Sequence, residues 1–463
     1  MSDLPNPSVK SIAVAMSGGG HRATLFVLGA LMYLVDARAN ANVSSISSVS
    51  GGSLTNGLVG QTLNFRRTDG NEFRERVAKP LATQIANSGT LFAALLTKVY
   101  VLILIVTGLA VIVLPALAPE PWYIRILLFL ILLTIWGWIL GLRGRVCASA
   151  FKTTLYSPGG RETKLADIKK EGLDHVICST EFRSAEQVYF AGDFVYSFAL
   201  GLGVPANLSL AKAVQASAAF PGGFPPSILP TKHHEFAGAP SPGAGGPPRP
   251  PKHMVLTDGG VYDNMGEQWA RGYGERIKLC KQIAAGRIPP NQLVVVNASA
   301  RIPWIPFRRR LIPLVGELMA LIRVNDVMYI NTTNVRRQVI VDSFNPVDPS
   351  KAAALPSVLV QIAQSPFRVA TAFADIQAAV GERAREVLQF LEGGPSEDEW
   401  ATIATENSAV GTSLNKFGAE VTARLMYQGY VVTMCNLRVL FGTDYPLFPE
   451  ELAIERFLAL ISQ

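Results

Sequence analysis

Charge is scarce in this chain. Of its 463 residues only 17% are Asp, Glu, Lys or Arg, and 49% are hydrophobic. Soluble domains usually carry about a quarter charged residues, so the shortage points toward a membrane part. Cysteine is scarce too. The four, Cys147, Cys178, Cys280 and Cys435, are scattered and form no CxxC pair. That excludes a disulfide framework and fits a reducing compartment. Cys178, in an apolar run, reads as a small core residue rather than a thiol nucleophile. There is no zinc-finger spacing and no basic-aromatic RNA-binding motif, so nucleic acid is not an expected partner. Walker A spacing and GxGxxG are both missing, which argues against a nucleotide loop. The five histidines, His21, His175, His233, His234 and His253, sit in no motif that marks a triad base. The first residues carry no basic cluster. The apolar run Leu25 to Val35 behind Arg22 imitates a signal sequence, but a strand and a glycine loop lead into it.

What is present begins with two long apolar runs. Val99 to Leu117 has no charge, and Trp122 to Leu142 has only Arg125, close to its start. Each is about 20 residues, which as a helix matches the hydrocarbon thickness of a bilayer. Pro119-Glu120-Pro121 separates them as a tight turn, so the expectation is a transmembrane hairpin. The competing expectation is two buried core helices. Trp122 and Tyr123 suit one membrane interface, and Trp136 and Trp138 approach the other. Lys98, Arg143 and Arg145 flank the outer ends. By the positive-inside rule both ends, and the globular parts beyond them, face the cytoplasm. Lys plus Arg exceed Asp plus Glu by 42 − 35 = 7. Such an excess is either spread over a solvated surface or attracted to anionic lipid head groups.

Before the hairpin the pattern is strand, glycine loop, helix, strand, helix: Ser11 to Met16, Ala23 to Asp36, Val43 to Val49 and Gly52 to Leu63. This alternation predicts an α/β sheet that is at least partly parallel. After the hairpin, strands are expected over His175 to Glu181, Gln187 to Ala191, Met254 to Thr257 and Leu293 to Asn297, and a helix over Ser209 to Ala219. Glu235 to Lys252, rich in Pro and Gly, reads as a flap or surface loop. Trp304, Pro306 and Phe307 precede Arg308-Arg309-Arg310, a pairing that suits a membrane interface or the solvated end of an ordinary helix. The remainder reads as mostly helical, notably Phe367 to Leu391 and Asn415 to Leu440.

Three short signals carry the chemistry. Gly18-Gly19-Gly20 follows a strand, so its amides can approach a developing oxyanion without Cβ obstruction. Arg22 is positioned to fix that loop through carbonyls or a carboxylate. Ser48-Val49-Ser50-Gly51-Gly52 lies where a strand turns into a helix, the setting of a nucleophile elbow centred on Ser50. Gly52 satisfies the small-residue requirement two positions on, and Ser48 stands where glycine is usual two positions before. Asp258-Gly259-Gly260 puts a carboxylate at a strand end. A buried carboxylate whose pKa approaches the working range can take a serine proton directly. Viewed alone, Asp258 reads equally well as a turn-forming aspartate.

Taken together the residues resemble the patatin-like phospholipases, whose pattern is a GGGxR/K loop, a GxSxG elbow and a DGG/A motif in that order. The block Ala216 to Pro221 followed by Phe224-Pro225-Pro226, and Asn264 six residues after Asp258, also fit. The resemblance covers residues 10–90 and 150–300. It implies a three-layer α/β/α sandwich, Ser50 as nucleophile, Asp258 as its dyad partner, and Gly18, Gly19 and Gly20 around the oxyanion hole. Arg22, Gly51, Gly52, Gly259 and Gly260 would support them. The chain departs from the pattern at Ser48 and in the hairpin that interrupts the domain. The expected organisation is residues 1–90 and 151–300 as the two parts of the patatin-like domain, 91–150 as the hairpin, and 301–463 as a mainly helical extension. The expected function is a membrane-associated lipid acyl hydrolase of phospholipase A or lysophospholipase type, acting on membrane lipids at the bilayer without metal or organic cofactor. Acyl transfer on the same dyad, and a non-catalytic membrane scaffold or receptor, are the alternatives.

Overall fold

The computed structural model describes residues 10–118, 121–237, 251–274, 276, 281–284, 286–299, 313–343 and 355–462. Ten strands form one mixed sheet: β1 Ile12–Met16, β2 Val43–Val49, β3 Asp174–Glu181, β4 Glu186–Phe190, β5 Val195–Ser197, β6 Gly201–Gly203, β7 Ser227–Pro230, β8 His253–Asp258, β9 Gln292–Asn297 and β10 Ser357–Gln361. The order along the sheet is β10-β9-β1-β2-β3-β4-β5-β6, with β8 joining β3 and β7 joining β8. The pairs from β10 through β3 are parallel. Those beyond, including β3 with β8, are antiparallel.

The parallel half follows from composition. β1 (IAVAM) is buried at every position, and β9 (QLVVVN) at all but its first. Strands covered on both faces read as continuous apolar runs rather than alternations. β2 (VSSISSV) is the exception, a serine-rich strand in the middle of the sheet. Its hydroxyls are hydrogen-bonded: Ser47 Oγ donates to the Gly266 carbonyl at 2.7 Å and Ser48 Oγ to the Val176 carbonyl at 3.2 Å.

Helix α1 (Gly20–Asp36) follows β1 and is buried along nearly its whole length. The run Leu25 to Val35 is therefore a core helix, as an all-round apolar helix inside a large domain should be. It packs against the long helix Ala419–Phe441, which is buried at most positions. Residues beyond 300 thus contribute to the main core, and their strand β10 lengthens the parallel half next to β9. That strand lies in a stretch read as mostly helical, because five residues (SVLVQ) are too few to show a period. The span Phe367 to Leu391, read as mostly helical, holds two helices, Phe367–Phe373 and Ala379–Leu391. Pro/Gly residues 238–250 and the arginine cluster Arg308-Arg309-Arg310 lie outside the described residues.

Between α2 (Gly51–Thr62) and β3 the chain forms two apolar helices, Leu95–Leu117 and Trp122–Gly141. They pack on each other: Trp136 Nε1 donates to the Leu104 carbonyl at 3.1 Å, and the Tyr100 hydroxyl donates to the Ile139 carbonyl at 3.1 Å. Their outer surfaces are bare. No residue of the second helix is buried, and only four of the first are. Two buried core helices are thereby excluded. A further helix, Arg143–Thr154, continues from the hairpin and returns the chain to the globular part.

Candidate active site

The site sits where two strands meet head-on. β2 runs along one edge of β3 and ends with Val49 opposite Cys178. β8 comes from the other direction along the same edge and ends with Asp258 opposite Ser179. The far edge of β3 is occupied by β4. The last residues of β2 and β8 are therefore one residue step apart along β3, roughly 3.3 Å. Ser50 follows Val49 immediately, so topology brings together two residues about two hundred apart in sequence.

Ser50 has φ 49° and ψ −115°. This is a left-handed value that a non-glycine residue adopts only when the surroundings impose it. Gly51 lets the turn close: a Cβ there would overlap the Gly20 carbonyl of the glycine loop. The Gly52 amide donates to the Ser17 carbonyl at 3.2 Å, pinning the start of α2 to the end of β1.

A polar floor holds the elbow from beneath. The Ser50 amide donates to Ser217 Oγ at 3.0 Å, and Ser217 Oγ donates to the Cys178 carbonyl at 2.6 Å. Ser53 Oγ lies 3.0 Å from Ser217 Oγ and donates to Ser48 Oγ at 3.1 Å. Asn56 Nδ2 also donates to Ser48 Oγ, at 2.9 Å, and Asn56 Oδ1 pairs with His175 Nδ1 at 2.8 Å. Ser48 is thus a buried hub, and its hydroxyl fits the space because three polar partners receive it. Burial lowers His175 to about 3, so this imidazole stays neutral. Sequence reasoning assigned no role to Ser217 or Asn56. Ser217 lies in the Ala216 to Pro221 block, and its position there was the available signal.

Asp258 is buried, and its carboxylate is met from two sides. The Gly260 amide donates to Oδ1 at 2.7 Å, and the neighbouring Ser50 side chain favours the charged form. Desolvation dominates these bonds and raises its pKa to about 6 from the ordinary 3.8. The strand end is fixed by the preceding block: the Asp258 amide donates to the Ala219 carbonyl at 3.1 Å and the Gly259 amide to the Ser217 carbonyl at 3.2 Å. The bond from the Gly260 amide is an Asx turn, so Asp258 shapes this turn as well as lying buried beside Ser50.

The glycine loop caps the arrangement. Gly19 (φ 141°) and Gly20 (φ 57°) adopt conformations open to glycine. The Gly18 amide is already committed, donating to the Asn264 carbonyl at 3.0 Å. Among the described residues no acceptor takes the Gly19 or Gly20 amide, which stand at the N-terminus of α1. Arg22 fixes the loop through carbonyls: Nε donates to Ala298 at 2.9 Å, and Nη1 donates to Val410. The His21 amide donates to the Ser413 carbonyl at 2.9 Å, and its ring bridges Asn415 and Thr90. Burial lowers that imidazole to about 4. The hydrogen bonds of the described histidines go to residues other than Ser50 and Asp258. Segment 410–415 thus braces the loop, a contribution from residues beyond 300 that no motif announced. Among the described residues no group of His, Cys, Asp and Glu is assembled to hold a metal ion.

The chain aligns with several solved structures. Human GIVD cytosolic phospholipase A2 aligns at a TM-score of 0.45 and 11% identity, over 100% of this chain and 63% of that one. The same protein in complex with methyl gamma-linolenyl fluorophosphonate aligns at 0.45 and 12%, over 100% and 61%. VipD from Legionella pneumophila aligns at 0.26 and 10%, over 99% and 92%. The chain therefore spans less than two thirds of the length of the human protein. No curated protein matches it. A family model described as patatin-like phospholipase matches residues 14–268, more than half of the chain and all three glycine signals. The chain belongs to the patatin-like phospholipase family.

Proposed function

We propose that this protein is a membrane-anchored lipid acyl hydrolase working through a Ser50–Asp258 dyad. The observation that carries this reading is the head-on approach of β2 and β8, which sets a serine with φ 49° against a buried carboxylate. Asp258 takes the hydroxyl proton as Ser50 Oγ attacks the acyl carbonyl. Charge then develops on the carbonyl oxygen. The uncommitted amides of Gly19 and Gly20 are its donors, while Gly18 serves by allowing the loop to approach. Collapse expels the alcohol, which leaves with the proton held by Asp258. Water then attacks the acyl-enzyme, again with Asp258 as base, and frees the fatty acid and Ser50.

The hairpin is read as the membrane anchor. Two helices of 23 and 20 residues are about 35 and 30 Å long and expose nearly all of their apolar surface. Water would oppose such exposure, and a bilayer would not. The anchor is tied to the site: Arg143, at the foot of the hairpin, donates from Nε to the Gly223 carbonyl at 2.8 Å. Gly223 belongs to the same turn as Ala219, whose carbonyl holds the Asp258 amide. Exposed Phe220 lies on that turn. Anchoring would thus present the dyad to ester bonds at the membrane surface.

The test is labelling with a fluorophosphonate probe in membranes, with hydrolysis of a phospholipid substrate measured in parallel. Wild type should label and hydrolyse, and Ser50→Ala should do neither, losing at least 10³-fold in rate. Labelling that persists in Ser50→Ala would remove Ser50 as the nucleophile.

A further inference from the structure

A cavity lies at the foot of the hairpin, outside the dyad. Its volume is about 890 Å³, and it is walled by the foot of the second apolar helix, the helix Arg143–Thr154, the helix Leu210–Ser217 and β7. Cavities of this size hold small organic ligands. The titratable residues lining it are Arg145, Lys152, Lys212 and Glu162, three cations against one carboxylate. Glu162 is taken up by Lys152 at 3.6 Å and by Lys164 at 3.0 Å. Arg145 and Lys212 have no carboxylate within ion-pair distance among the described residues. They oppose each other: burial and the Arg145 charge both lower the pKa of Lys212. Gln215, only 4% exposed, also lines the cavity, and its Nε2 has no acceptor among the described residues. A buried donor without an acceptor costs about 1–3 kcal/mol. The stretch Gly137 to Leu142 supplies the opposite, apolar wall, with Trp138 72% exposed beside it.

We infer that this cavity binds the phosphate-bearing head group of an anionic phospholipid, with Arg145 and Lys212 on the phosphate oxygens and the acyl chains along the hairpin. An anion would relieve the opposed charges of Arg145 and Lys212. The apolar wall continues onto the bare surface of the hairpin, so a ligand with a charged head and an aliphatic tail matches both sides. Free phosphate would use only the basic side. The placement of the acyl chains, though not the basic lining, rests on the membrane reading of the hairpin. In that reading the cavity lies at head-group depth, where the negative surface potential of the cytoplasmic leaflet adds attraction.

The test uses full-length protein in uncharged detergent micelles and an ether-linked phosphatidic acid, which has no ester to cleave. Retained lipid is counted by native mass spectrometry, with ether-linked phosphatidylcholine as the competitor. Wild type should retain phosphatidic acid with a preference on the order of tenfold. Arg145→Gln combined with Lys212→Gln should reduce that preference to about twofold or less. Fluorophosphonate labelling should stay unchanged, which reports that the variant is folded. Equal retention of both lipids by wild type would overturn the inference, as would an unchanged preference in the double variant. Displacement of bound lipid by millimolar inorganic phosphate would also overturn it, as the mark of a soluble-anion site. Alkaline carbonate extraction of wild-type membranes tests the anchor separately. Release of the protein there, with lipid preference intact, would remove the membrane reading and leave the head-group site standing.

Discussion

Asp258 shows how much one residue owes to its surroundings. Exposed, it would ionise near 3.8; buried, with only the Gly260 amide and the Ser50 hydroxyl to stabilise its charge, it ionises near 6. A raised folded-state value means that the protonated form is favoured in the folded protein. The contribution to stability is full below about pH 4 and is lost as pH rises through about 6. Activity runs the other way, because only the carboxylate can accept a proton. The rate of hydrolysis should therefore rise with pH through an apparent pKa near 6 and then level. Asp258→Asn should abolish hydrolysis, by at least 10³-fold, and raise stability at pH 7.5 by on the order of 2 kcal/mol. Denaturant unfolding at pH 5 and pH 7.5 checks the sign. A variant that is less stable than wild type at pH 7.5 would contradict it. Ser48 carries a related lesson. It departs from the family pattern, and two donors and the Val176 carbonyl make it part of the support.

At the scale of elements, the glycine loop is only as steady as the helix behind it. α1 crosses the helix Ala419–Phe441 with backbone against backbone. A Cβ at Gly29 would overlap the Met426 carbonyl, and one at Gly429 would overlap the Phe26 carbonyl. Neither helix can accept a methyl group there without moving. Gly29→Ala should therefore destabilise the fold by about 1–3 kcal/mol, read as a lower midpoint in denaturant, even though alanine is the better helix former. It should also lower hydrolysis, because α1 begins at Gly20. An unchanged midpoint would show that the crossing is looser than described. The boundaries of β2, α2 and the second apolar helix were legible because their residue patterns are local. The strand β10 and the supporting segment 410–415 were not, since each is defined by what it touches far away in sequence.

For the molecule as a whole, the hairpin is the feature that bears on location, because it exposes two long apolar helices. Its apolar surface was evident from composition. That the surface faces outward depended on where the helices pack. Leu109 and Leu130 are exposed on the two helices. A mid-span arginine costs about 2.5–3.5 kcal/mol for insertion, so Leu109→Arg with Leu130→Arg should move much of the protein from the carbonate-resistant pellet to the supernatant. Fluorophosphonate labelling of the released protein should persist, because neither residue packs in the globular part. Unaltered pelleting of this variant would point to an anchor elsewhere.

The sequence by itself determined the chemical kit. A glycine loop, a serine on a strand-to-helix turn, a carboxylate before two glycines and two bilayer-length runs are all local patterns, set by backbone sterics and hydropathy over a few residues. The tertiary structure alone brought the parts of the kit together. Asp258 meets Ser50 only because β3 accepts β2 and β8 end to end along a single edge. It titrates near 6 only because that meeting takes place out of water. Register between distant strands and the desolvation of a carboxylate depend on the whole packed chain, and no short stretch of sequence contains them.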